Sequence, residues 1–172
     1  MNGRSIVDTI IQGAAVDLLH SLEIAAAPLP PLLPSGNPEI PEFASFVQFD
    51  GVGCHGILCL ATPKAVLEAS AAGTGGALHA EDWLRELTNQ LMGRIKKRFL
   101  HFSVTLRATL PGPVGDQFWT RYAEASTGIN KVYPFRTLRG TVVVLLAGSI
   151  DHSKLAYCGE VSTRDEGDII LF

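Results

Sequence analysis

Residues 28 to 43 read PLPPLLPSGNPEIPEF and carry six prolines. Proline has no amide hydrogen and its ring clashes with the preceding turn, so this stretch cannot continue a helix and is disfavoured as a central strand. Whatever the chain folds into is expected to pass through an ordered or semi-extended connector here, residues 28–42. What precedes it is short. Ile6, Ile10, Ala14, Leu18 and Leu22 fall at helical spacing, which predicts an amphipathic helix over residues 4–24. One helix cannot bury a core alone, so the prolines do not mark a domain boundary. The 172 residues are expected to form a single domain. It comprises the first helix, the connector, a core over 43–150 and an extra C-terminal tail over 151–172.

After the connector, FASFVQFD, GVG and CHGILCLA predict a β-hairpin over 43–61, with glycines supplying the positive φ angles of the turn. TPKAVLEASAAG follows as a helix, with Thr62 as its N-cap, Pro63 at the first helical position and Gly73 near its stop. The glycine-rich GTGG then leads to a second helix that starts near His79 to Glu81. HFSVTLRATLPG alternates as a strand, and DQFWTRYAEAS is expected to be a weaker one. KVYPFRTLRGTVVVLLAGSI ends in a strongly apolar strand, Thr141 to Ala147. In the tail, IILF could add an edge strand or dock on a partner. The pattern predicts an α/β (α+β) two-layer domain, with long helices on a mainly antiparallel sheet.

Composition removes several classes of function. A formal charge of −3 gives no general pull toward nucleic acid or an anionic membrane. The N-terminal stretch is interrupted by Asp8, Gln12 and Asp17, unlike a signal peptide or a membrane span, so a cytoplasmic protein is expected. Three cysteines, Cys54, Cys59 and Cys158, argue against a disulfide framework. Cys54, His55 and Cys59 lack a second ligand pair for zinc, and the two cysteines read as thiols half-buried in a strand pair. Gly51-Val-Gly53-Cys-His-Gly56 matches a dinucleotide fingerprint by letter, but strand follows where a helix must open. Gly73-Thr-Gly75-Gly76 lacks the Gly-Lys-Ser/Thr of a phosphate loop. No G-x-S-x-G is present, and His55 and His101 read as incidental surface or loop residues.

The informative stretch is DWLRELTNQLMGRIKKRF, residues 82 to 99. Leu84, Leu87, Leu91 and Ile95 form the core stripe of a helix. At about 100° per residue, Asp82, Glu86, Asn89 and Gly93 gather around the opposite pole within roughly 60° of one another. Acids near a helix start suit a solvated face and the dipole. Asn89 and Gly93 do not, because glycine inside an exposed helix costs about 1 kcal/mol relative to alanine. An outward glycine does let another molecule approach closely. This face therefore reads as one built to be covered.

These residues carry a family resemblance. Asp82-x-x-x-Glu86-x-x-Asn89, followed by Gly93 and by Pro111 after a strand, resembles the motif of the CheC/CheX/FliY chemotaxis phosphatases. The later Tyr133-Pro134-Phe135-x-Thr137-x-x-Gly140-x-Val142 resembles the last strands of the CheX branch, and the element order fits to about residue 150. The spacing from Asn89 to Pro111 leaves Pro113 as a rival for the downstream proline. A second E-x-x-N is absent, so one site is expected rather than two.

The resemblance implies a phosphatase acting on a phosphorylated CheY-like response regulator. Asn89 would orient the attacking water, and Glu86 would pair with the regulator's active-site lysine. Asp82, Gly93, Lys96 and Lys97 would serve docking. The protein would need no cofactor of its own, with Mg²⁺ carried by the regulator. Arg94, Lys96, Lys97 and Arg98 make the helix end basic, which suits the dipole and solvation or, alternatively, steering toward an acidic partner. The resemblance also makes a homodimer attractive, with the strand at Thr141–Ala147 extending a sheet across a two-fold axis. A rival reading is a non-catalytic module of the same fold that binds a response regulator or a flagellar-switch or signalling partner.

Overall fold

Ser5 opens the first helix: its hydroxyl accepts a hydrogen bond from the Asp8 amide at 3.1 Å and caps α1, Ile6–Ser21. The computed structural model describes residues 5–72 and 79–158. Beyond α1 comes the proline stretch. It contributes strand β1, Ala27–Pro28, which pairs antiparallel with Arg136 and Phe135. Leu29 N–H donates to Pro134 at 2.9 Å, and Leu32 and Val132 exchange both backbone bonds at 2.8 Å. Proline is tolerated here because this is the edge of the sheet. Gln12 Nε2 donates to the Leu29 carbonyl at 3.1 Å and ties the connector to α1.

The hairpin forms as β2, Phe43–Gly51, and β3, Cys54–Thr62, turning at Gly53 with φ +72°. A second hairpin, β6 (Ile129–Thr137) and β7 (Gly140–Ile150), lies beside it. Two short strands, β4 (Arg107–Ala108) and β5 (Gly112–Pro113), pair along β2. The order is β1-β6-β7-β3-β2-β4, with β5 also on β2, and every pairing is antiparallel. β7 is therefore central, paired on both sides. It offers no free edge, which corrects the expectation that Thr141–Ala147 could extend the sheet into a second copy.

One face of the sheet buries Val47, Phe49, Leu58, Leu60, Tyr133, Phe135, Val144 and Leu146 against the long helices. The other face carries Ile57, Cys59, Ala61, Val132, Val143 and Leu145. DQFWTRYAEAS, expected as a strand, is instead a helix, α4, Asp116–Ala125. Phe118 and Tyr122, one helical turn apart, are buried on that second face. Phe46 and Phe118 meet at 5.0 Å between ring centroids.

Smaller corrections follow the same local physics. HFSVTLRATLPG is strand only at Arg107–Ala108 and at its last residue, Gly112, which opens β5, because residues 101–103 turn, with Ser103 at φ +59°, and Val104 and Leu106 drop into the core. Helix α2, Lys64–Ser70, has Pro63 rather than Thr62 at its N-cap position. The Thr62 hydroxyl donates to the Pro63 carbonyl at 3.2 Å instead of capping. Cys54 and Cys59 are wholly rather than half buried, and Cys158 is exposed. Gly73, the GTGG loop and IILF lie outside the described residues. No helix among the described residues is long and apolar enough to cross a membrane.

Candidate functional site on helix α3

The stretch DWLRELTNQLMGRIKKRF lies within α3, Ala80–Leu100. Glu81 and Asp82 in its first turn and Lys97 and Arg98 in its last complement the helix dipole. Leu84, Leu87, Leu91 and Ile95 are each at most 4% exposed, so the predicted core stripe is the one that packs. Trp83 adds a lateral tie, its indole N–H donating to Ser70 Oγ of α2 at 2.8 Å. These contacts make α3 a rigid bar and leave its opposite side to solvent.

The basic run divides into two pairs. Arg94 donates to Ser21 Oγ at 3.2 Å and Arg98 pairs with Asp17, so both hold α3 to α1. Gly13 makes room for this clasp, since a Cβ there would meet Arg98 Nη1 at 2.8 Å. Lys97 is exposed and Lys96 half-buried, and no side-chain partner holds either among the described residues.

On the outward side, Asp82, Glu86, Asn89 and Gly93 are all exposed. Arg85 lies 3.5 Å from the Asp82 carboxylate. The Glu86 carboxylate accepts from Gln90 Nε2 at 2.9 Å. The Asn89 carboxamide makes no hydrogen bond with any described residue. Around Gly93, an added Cβ would meet nothing within 4 Å. Space inside the protein therefore does not require this glycine. Gly93→Ala is expected to raise the denaturation midpoint, with a gain of about 0.5–1 kcal/mol.

Arg85 and Gln90 were not singled out from the sequence, although D-x-x-R and E-x-x-x-Q at helical spacing were visible there. His55 is exposed on β3, and His101 closes α3 at its C-cap. Burial pushes the Cys54 thiol up to about 11 and the Cys59 thiol further still, so neither is a ready thiolate. Among the described residues no cluster of His, Cys, Asp and Glu could hold a metal ion. A concavity of about 810 Å³ lies away from α3, between β2, β3, β4 and α4. Arg107, Arg121, Asp50 and Glu124 line it with charges of both signs.

Among the described residues, Glu86, Asn89 and Gly93 on α3 are exposed and stand on an open face. It offers a convex ridge: a carboxylate and an unengaged amide about one turn apart, then a gap at Gly93. Such a ridge can enter a cleft belonging to another molecule.

No protein-family model matches the chain, and no curated protein does. Solved structures do. A CheC-like superfamily protein from Shewanella sp. PV-4 superposes with a TM-score of 0.67 at 14% identity, over 84% of this chain and 98% of that one. A chemotaxis protein CheX from Desulfovibrio desulfuricans gives 0.67 at 16% identity, over 82% and 97%. The CheX–CheY–BeF3–Mg²⁺ complex from Borrelia burgdorferi gives 0.58 at 14% identity, over 80% and 94%. At these identities the likeness is one of architecture, and by that architecture the chain has the CheC/CheX fold.

Proposed function

We propose that this protein belongs with the CheX-type proteins and hydrolyses the aspartyl phosphate of a CheY-like response regulator in the cytoplasm. The observation that carries the reading is the Asn89 carboxamide. It stands exposed on a rigid helix, free of partners among the described residues, beside open space at Gly93. Support also comes from the fold, because a CheX of the same architecture was solved in complex with CheY, BeF3 and Mg²⁺.

The chemistry asks little of this chain. The regulator brings the phosphoryl group, and its Mg²⁺ supplies most of the charge stabilisation. A water in line with the phosphorus is still required. Asn89 holds that water by donating one hydrogen bond and accepting another, with no change of protonation. Glu86 pairs with the regulator's lysine, which orients α3 in the cleft and draws that lysine away from the phosphoryl group. Gly93 admits the rim of the regulator, Asp82 assists docking one turn earlier, and Lys96 and Lys97 steer the ridge toward acidic surface.

The test is phosphate release from a panel of phosphorylated receiver domains with Mg²⁺. At least one receiver is expected to lose phosphate faster in the presence of the protein. Tight binding without acceleration would instead identify an interaction module, and neither binding nor acceleration with any receiver would remove the reading. Glu86→Lys is expected to weaken complex formation about tenfold or more, because it sets two cations against each other. Undiminished affinity in that variant counts against the lysine pairing.

A further inference from the structure

The two acids in the outward line of α3 have different neighbours. Asp82 lies 3.5 Å from the guanidinium of Arg85, three residues on. Glu86 is met by the neutral amide of Gln90, four residues on, at 2.9 Å. A cation offsets the charge of the carboxylate it touches, whereas an amide hydrogen bond orients a carboxylate and leaves its charge intact. Gln90 donates to Glu86 Oε1, while Oε2 has no partner among the described residues. Asp82 is thus partly matched within its own helix, and Glu86 keeps its charge for an incoming group.

We infer that Gln90 is a positioning residue. It turns the Glu86 carboxylate so that one oxygen is held and the other is presented to an ammonium group on the partner, with the negative charge of the group as a whole not neutralised. The inference rests on the reading above, in which Glu86 meets a lysine of the receiver. It adds a specificity rule: position 90 must carry a donor that is not a cation. A lysine there would stand at the spacing and in the order best suited to pair with Glu86 inside the helix. It would also repel the partner's own ammonium group.

Two measurements separate failure of this inference from failure of the function. In the free protein, followed by NMR, Glu86→Ala is expected to shift the side-chain amide resonances of Gln90. Unmoved resonances overturn the tether whatever the partner does. In the phosphate-release assay, Gln90→Lys is expected to raise KM about fivefold at low salt and leave kcat within about twofold. Raising the ionic strength to about 0.5 M should remove most of that difference. Gln90→Ala, which loses the tether and adds no charge, should raise KM only about twofold with little response to salt. Wild-type KM in Gln90→Lys overturns the inference, and so does a fall confined to kcat. If no receiver is a substrate, the proposed function has failed, and the NMR experiment still decides the Glu86–Gln90 contact.

Discussion

Alanine at position 89 is expected to reduce accelerated phosphate release about 100-fold or more and to leave the fold untouched. The size follows from what the residue is asked to do: losing the alignment of an attacking water by about 1 Å costs roughly that factor. The stability expectation is equally definite. Asn89 is exposed, makes no hydrogen bond with a described residue, and stands in a helix interior where alanine is the better helix former by up to about 0.7 kcal/mol. The melting temperature should hold or rise slightly while turnover collapses. Asn89→Asp sharpens the result. It keeps the shape, removes the donor and turns a new negative charge toward an anionic phosphoryl group, so it should be as inactive as alanine. An active aspartate variant would point to a general base in place of a water-orienting amide, and wild-type turnover in the alanine variant would take Asn89 out of the mechanism.

How much of this was legible depends on how locally each element is determined. Helix α3 could be read almost to the residue because its core stripe repeats through about three turns, and its outward line is the complement of that stripe. The prolines announced a connector, because proline fits neither a helix interior nor a central strand, whereas its pairing along the sheet edge emerges only from the fold. Helix α4 was missed for the opposite reason. In its ten residues, Phe118, Trp119 and Tyr122 suit a strand by type, and Phe118 and Tyr122 suit a helix by spacing. What decides between them lies elsewhere in the chain, because the second face of the sheet is apolar and must be covered. GILCLA and VVVLLA held that clue. A near-continuous apolar run, without alternation, belongs to a strand buried on both sides. The site divides in the same way. Glu86 and Asn89 were visible as an oddity of pattern, whereas the roles of Arg85 and Gln90 as neighbours of the two acids emerge only once side chains are placed.

Asp8→Ala is expected to destabilise the protein by about 3 kcal/mol near neutral pH, a fall of roughly 6–12 °C in melting temperature. Asp8 sits in the first turn of α1, 7% exposed. Its carboxylate accepts from Lys131 Nζ at 2.8 and 3.0 Å and from the Tyr133 hydroxyl at 2.8 Å, both on β6. Removing it strands an ammonium and a buried phenol together. That is the costly way to break a buried pair, set here at the low end of its range because Lys131 keeps a quarter of its side chain in water. Burial alone would raise the Asp8 pKa, but hydrogen bonds from Lys131, Tyr133 and Ser5 outweigh it and hold the carboxyl below its ordinary 3.8. Burial, and then the bond to Asp8, push the Tyr133 hydroxyl far up, so it remains a donor throughout. The sign of the pH dependence follows. A carboxyl whose folded pKa is depressed contributes fully above its unfolded value, about 3.9, and loses that contribution as pH falls through the folded value. Melting curves of wild type and Asp8→Ala should therefore run a constant distance apart from neutral pH down to about pH 5 and converge below about pH 4. A gap that stays the same at pH 3 would mean that the ionised carboxylate contributes nothing, and that the loss comes from packing of α1 against the sheet.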